Sequence, residues 1–162
     1  AEGIDITPDG RQLWVTNRAE DTITVLDTES LRPIEKLESK SFPIRARCTP
    51  DGRHVLVTHA RSGDLAVFDA AARRELRRIR MEIPASETKD RLFGDTFGNS
   101  SVPIGILIQP DGKRAFVAHA NADVISIVNL ETWALDGLVR GGREPDGMAL
   151  SPLAVRSGAE GA

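Results

Sequence analysis

Pro-Asp-Gly occurs three times, at Pro8-Asp9-Gly10, Pro50-Asp51-Gly52 and Pro110-Asp111-Gly112, and the surrounding sequence returns with it. Pro8 and Pro50 lie 42 residues apart, as do Pro110 and Pro152, where a fourth, unfinished copy begins. The middle interval of 60 holds one period plus an insertion of 18 residues. A unit repeated at this spacing buries its apolar face only by stacking on its neighbours, so the repeat limits the architecture more tightly than composition does.

Aligned on that turn, QLWVTN (Gln12 to Asn17) matches HVLVTH (His54 to His59) and RAFVAH (Arg114 to His119). Farther on, TITVLDT (Thr22 to Thr28) matches DLAVFDA (Asp64 to Ala70) and VISIVNL (Val124 to Leu130), each with Asp or Asn in register. GIDIT, IRARCT, GILIQ and GMALS, short and apolar, precede the four Pro markers. Each unit therefore predicts a strand, a tight turn, a strand, a loop, a strand, a turn and a weaker outer strand. Pro presets φ for the tight turn and Gly accepts positive φ there.

Four short strands per period predict an all-β fold, a β-propeller with three complete four-stranded blades plus one strand of a fourth. The boundaries follow: a blade over 1–42, a blade over 43–101 with its insertion at about 82–101, a blade over 102–143, the first strand of an incomplete blade over 144–153, and a tail over 154–162. LWV, VLV and AFV are apolar at consecutive positions and need cover on both sheet faces, which stacked blades provide. AAARRELRRIRMEI (Ala70 to Ile83) reads as helix by propensity alone. Register opposes this, since Leu76 and Ile79 align with Ile34 and Leu37 in the slot of the outer strand, and a strand is expected.

The second-strand motif and the TPDGR/QPDGK turn resemble the YVTN β-propeller repeat proteins. Trp14-Val15-Thr16-Asn17 is closest to the motif; Leu56-Val57-Thr58-His59 departs at its last position, and Phe116-Val117-Ala118-His119 at its last two. The resemblance covers residues 1–153 apart from the insertion, and GREPDGMALSP is similar to the ending of seven-bladed members. It implies a seven-bladed ring, a location in the periplasm or at the cell surface, and possible kinship with amine-dehydrogenase heavy chains, lactonases and haem-d cytochrome propellers. Gly147 to Ser151 is a first strand with no second after it, so the chain is expected to be the C-terminal part of a longer protein whose other blades are its partners.

The formal net charge of −3 gives no global basic field for nucleic acid. No apolar run is long enough to span a membrane. Arg73, Arg74, Arg77, Arg78 and Arg80 form a basic run on an outer strand, expected to be a solvated, charge-protected edge. Cys48 is the only cysteine, so no intrachain disulfide exists; aligned with Ile6, Ile108 and Leu150, it is expected to act as a small buried hydrophobe.

Site candidates come from loop placement and from departures from the repeat. Loops joining second to third strands share one face of a propeller with the inter-blade connections, which puts Asn17, His59, His119, Arg45, Arg143-Glu144 and the insertion at one mouth of the channel. His59 and His119, equivalent in adjacent blades, could converge on a metal or a haem edge, although Asn17 in the same slot points to loop capping. Arg45 and Arg47 replace Gly and Asp, Leu or Ala of the other copies; they either pair with acids such as Asp5 or bind an anionic ligand. Phe93-Gly94 and Phe97-Gly98 in the insertion could anchor a lid or present Phe93 and Phe97 to a partner.

No serine sits in a nucleophile-elbow pattern and no glycine-rich phosphate loop occurs. The reading favoured by the sequence is a noncatalytic extracytoplasmic binding or interaction scaffold that takes a protein or small molecule at the channel mouth. No cofactor is expected from this segment alone. An enzyme or electron-transfer subunit is the alternative.

Overall fold

The computed structural model describes residues 1–86 and 89–152, and among these it forms twelve strands and no helix. The strands make three antiparallel four-stranded sheets, each in sequence order. The first holds β1 (Ile4–Ile6), β2 (Gln12–Asn17), β3 (Thr22–Asp27) and β4 (Pro33–Glu38). The second holds β5 (Pro43–Cys48), β6 (His54–His59), β7 (Asp64–Asp69) and β8 (Arg74–Arg80). The third holds β9 (Pro103–Ile108), β10 (Arg114–His119), β11 (Val124–Asn129) and β12 (Ala134–Arg140). The basic run is thus a strand: β8 pairs with β7 at Ile79↔Leu65, as β4 pairs with β3 at Leu37↔Ile23. Tertiary pairing outweighs its helical propensity.

Burial explains why the middle strands are apolar at consecutive positions. In the central blade β6 and β7 are buried on both faces, whereas β2 and β3 of the first blade alternate between buried and half-exposed residues. Trp14, Ile23 and Val25 pack against Ala46, Val55, Val57, Ala66 and Phe68, with the Trp14 and Phe68 rings 5.9 Å apart. Leu56, Leu65, Val67 and Met81 pack against Ile106, Val117 and Val128 to join the second blade to the third. Each fully buried large side chain contributes about 1.5 to 3 kcal/mol, so these two seams hold the blades together. Outer strands β4, β8 and β12 are largely exposed; β4 and β8 are rich in charge, whereas β12 exposes Leu135, Leu138 and Val139.

The inner strands approach one another closely. A Cβ at Gly3 would run into the backbone of Ile44, and one at Gly105 into the carbonyl of Asp146. Thr16 Oγ1 accepts the Gly3 amide at 2.7 Å and donates to the Ile44 carbonyl at 2.7 Å; Thr58 Oγ1 likewise accepts from Arg45 N at 3.2 Å and donates to the Ile104 carbonyl at 2.9 Å. The hydroxyl of this strand position therefore fastens each blade to the next, and Ala118 ends that series in the third copy.

The turns repeat as expected. Gly10, Gly52 and Gly112 hold φ of 73°, 71° and 70°, and the Asp of each turn accepts a hydrogen bond from the amide two residues on. One expectation is corrected. The backbone of Asp146 lies against β9 at Gly105, on the path of an inner strand, but residues 144–152 form no strand. Residue 153 and the tail at 154–162 lie outside the described residues.

Candidate functional site

The loop between β2 and β3 meets the connection between β4 and β5: Ser39 N donates to the Asp21 carbonyl at 2.8 Å, and Phe42 N to the Asp21 carboxylate at 2.7 Å. These loops and connections thus share one face. The Pro-Asp-Gly turns neighbour one another elsewhere, with the Gly52 Cβ position 3.6 Å from the Pro8 ring and that of Gly112 3.8 Å from Pro50.

Asn17, His59 and His119 end their strands beside these loops but do not line an open mouth. Both imidazoles are fully buried. His59 Nε2 is 2.8 Å from Ser39 Oγ; His119 Nδ1 is 2.8 Å from Ser101 Oγ and its Nε2 3.0 Å from Ser126 Oγ. Burial pushes the His59 pKa down to about 3, aided by the positive charge of Arg78, and that of His119 to about 4, so both rings are neutral. Asn17 caps its own loop, donating to Thr22 and Thr24 at 3.2 and 2.9 Å.

Ser39 beside His59 has the spacing of a nucleophile and its base, yet Ser39 is 1% exposed and His59 Nδ1 has no protein partner. No substrate reaches such a serine, and no acid orients the ring. The two histidines, expected at the channel mouth, are buried: Ser39 holds His59, and Ser101 and Ser126 hold His119. No group of three or more His, Cys, Asp or Glu suited to a metal occurs among the described residues.

Arg45 and Arg47 lie two apart on β5 and so share one face of this inner strand. Arg45 reaches Glu2 at 3.5 Å and Asp146 at 3.9 Å, while Arg47 reaches Asp5 at 3.6 Å. Asp5 is itself fixed by the amide of Cys48 at 2.8 Å. The arginines line a cavity of about 130 Å³ with Gly105, Ile106, Asp146, Gly147 and Met148. The pairing anticipated with Asp5 is present, and both guanidiniums keep a third to a half of their side-chain surface open to solvent. Cys48 packs beside the seam of blades one and two, and burial and Asp5 push its thiol up to about 12, which leaves it inert.

The insertion folds down onto the third blade. Arg91, whose side chain is 7% exposed, donates two hydrogen bonds to the Asp123 carboxylate at 2.7 and 2.6 Å and one to the Ala120 carbonyl at 3.1 Å. Leu92 N donates to Glu144 at 2.7 Å, and Arg143 donates to the Asp90 carbonyl at 2.6 Å. Phe97 is buried among Ile44, Ala60, Val102, Ile104 and Ala120, with Phe93 and Phe42 against it. Phe97 therefore anchors the insertion, and Phe93, half-buried, packs against it. Arg143, exposed, ties the flap to the connection after β12 through its bond to the Asp90 carbonyl.

One repeating device escaped the sequence reading. Phe42, Val102 and Glu144 occupy the same repeat position and hold φ of 66°, 54° and 53°. Asp21 accepts the Phe42 amide and Asp123 the Glu144 amide at 3.0 Å. In the central blade this position is Gly63, and Ser100 of the insertion accepts the Val102 amide at 3.1 Å in its place. The pattern Asp, Gly, Asp at 21, 63 and 123 was the available signal.

The family model of the seven-bladed β-propeller lactonases matches residues 1–93, more than half of the chain. This chain belongs to the seven-bladed β-propeller lactonase family. No curated protein sequence matches it. Among solved structures, hydrazine synthase of Kuenenia stuttgartiensis superposes with a TM-score of 0.77 at 23% identity, over 93% of this chain and 38% of that one. A candidate 6-phosphogluconolactonase from Bacteroides uniformis gives 0.70 at 19% identity, over 93% and 44%. A functionally unknown protein from Desulfotomaculum acetoxidans gives 0.73 at 16%, over 93% and 45%. These likenesses carry the fold alone. The lactonase-family segment spans less than half the length of each structure it matches.

Proposed function

We propose that this segment is a noncatalytic binding arc of a lactonase-family propeller, taking an anionic small molecule at the inner-strand wall formed by Arg45 and Arg47. The observation that carries the reading is their pairing geometry. Their ion pairs span 3.5 to 3.9 Å, longer than the 2.7 to 2.9 Å or so of a charge-assisted hydrogen bond, and the guanidiniums remain partly solvated. A phosphate or carboxylate can therefore form shorter bidentate contacts without an acid first having to leave a buried site. Three carboxylates face the two guanidiniums, so affinity should be modest and fall with salt. An extracytoplasmic location is part of the proposal and rests on the repeat-family resemblance.

Calorimetric titration with 6-phosphogluconate, the open-chain acid of the lactone for which the Bacteroides uniformis protein is named, tests the reading. Binding that Arg45→Gln and Arg47→Gln each weaken at least about tenfold, or 1.4 kcal/mol, is expected. Equal affinity in the variants, or no heat at millimolar ligand, would sink it.

Membership of the lactonase family favours a second reading, hydrolysis of a lactone ester. Arg45 or Arg47 would then polarise the carbonyl, with Asp5 or Asp146 activating water. Acid release from a phosphorylated lactone in a pH-stat separates the two: the binding reading expects the rate of buffer alone, and a faster rate abolished by Arg45→Gln favours the enzyme.

A further inference from the structure

The central blade departs from the repeat in two ways that meet at one place. It carries the insertion, and it has Gly63 where the other blades have Asp21 and Asp123. Between the loop at Arg61, Ser62 and Gly63 and the two ends of the insertion runs a groove of about 420 Å³, within the size range of small-molecule sites. The Pro84–Ser100 bridge ties the two ends of the insertion together. Ile83, Pro84 and Phe97 give the groove an apolar side, and Asn99 and Ser62 give it polar groups.

Arg61 lies along this groove, and among the described residues it makes no ion pair. Its guanidinium stacks on the Phe42 ring at 5.6 Å. That ring is fixed from three sides: Phe97 meets it edge-on at 4.9 Å, the Arg18 guanidinium lies 5.7 Å from its centre, and its amide is held by Asp21. A guanidinium so placed loses little freedom on binding, and stacking leaves its N–H fork available. The position that in the other blades carries a carboxylate is here a glycine with φ of 76°, its missing Cβ 3.5 Å from Ser100 Oγ. Aspartate would fit the backbone, since Asp21 and Asp123 hold φ of 53° and 57° in the equivalent loops. Its absence removes a negative charge beside Arg61 and leaves room in the groove, and the capping it performs elsewhere is taken over by Ser100. Glu82 is the one carboxylate in the lining.

We infer that this groove is a second binding site, separate from the Arg45–Arg47 wall, for a small monocarboxylate with an apolar body: Arg61 takes the carboxylate, and Ile83, Pro84 and Phe97 take the body. Its test is an amide chemical-shift titration of the full chain with 4-phenylbutyrate and with the matched neutral amide. Saturable shifts at Gly63, Asn99 and Ser100 are expected for the acid, with affinity at least tenfold weaker for the amide. Arg61→Gln should weaken the acid at least tenfold, and Gly63→Asp, which restores the carboxylate of the other blades, should do the same. Arg11→Gln, remote from the groove, serves as the control. Equal response to acid and amide, or undiminished binding in a folded Arg61→Gln or Gly63→Asp variant, overturns the inference. Absence of saturable shifts in the unsubstituted chain overturns it too.

Discussion

Acid should weaken this protein in a pH window set by two side chains. His59 and His119 are fully buried, and their pKa values lie at about 3 and about 4. In the unfolded chain each imidazole returns to about 6.5. Because the folded pKa is lowered, the unfolded state binds more protons between the two values. The stabilisation is therefore whole above pH 6.5 and is lost as the pH falls towards the folded pKa. At 1.36 kcal/mol per unit, each ring costs about 2 to 3 kcal/mol at pH 4.5, and the pair costs about 5, a large share of a typical 5 to 15 kcal/mol. For a chain of this length that lowers the thermal midpoint by roughly 10 to 20 °C. Asp123, held at about 2 by Arg91 and the Glu144 amide, loses its contribution only below the ordinary carboxylate range, whereas burial raises the pKa of Asp64, whose protonation offsets part of the loss as the pH falls. The assay is the thermal midpoint followed by circular dichroism from pH 7.5 to 4.5. Asn17 occupies the same slot in the first blade, so His59→Asn and His119→Asn remove the titrating groups with a side chain the repeat already uses, and the double variant should flatten the profile. A flat profile in the unsubstituted protein, or an unchanged slope in the double variant, refutes the reasoning.

Two further outcomes follow from local geometry. Gly52→Val should cost on the order of 1 to 3 kcal/mol in thermal or urea unfolding, since Gly52 holds φ of 71°, whereas Gly52→Asn should cost clearly less, because Asn accepts that conformation and its Cβ would meet the Pro8 ring only at an ordinary contact distance of 3.6 Å. Arg91→Ala should free the insertion: cleavage by a nonspecific protease within residues 89–101 accelerates, and stability falls by about 1 to 3 kcal/mol, because a largely buried bidentate ion pair is broken.

The repeat made the fold legible because each period writes the same local instructions: positive φ at Gly10, Gly52 and Gly112, two-sided apolar strands, and a polar outer strand. Even β8, helical by composition, was placed correctly by its register with β4. The side-chain chemistry was less legible. Strand alternation could place Arg45 and Arg47 on one face of β5, and Asp5 was an anticipated partner; Asp5, Glu2 and Asp146 all lie outside the second blade, and the last two needed the three-dimensional packing. His59 and His119 were located at the correct strand ends but not at their correct depth. Depth depends on Ser39 and Met81, equivalent residues that follow the outer strands of the preceding blades and close over the next seam. The insertion lies outside the period, so nothing in the repeat could say that Arg91 seeks Asp123 or that Phe97 turns inward. The Asp21, Gly63 and Asp123 series is written in register, but a loop aspartate usually serves only its own turn, so the series does not by itself signal a bond to the next connection.

The three blades and the docked insertion form one fixed surface, on which the two proposed binding sites are built. Amide hydrogen exchange followed by mass spectrometry tests it most directly. Slow exchange is predicted in β6, β7, β10 and β11, with peptides from 89–101 exchanging well below free-chain rates, since Leu92, Gly94, Thr96, Gly98 and Ser100 all donate backbone amides. Free-chain exchange across 89–101 beside protected strands would contradict the claim, leaving the blades folded and the mouth without its fixed wall.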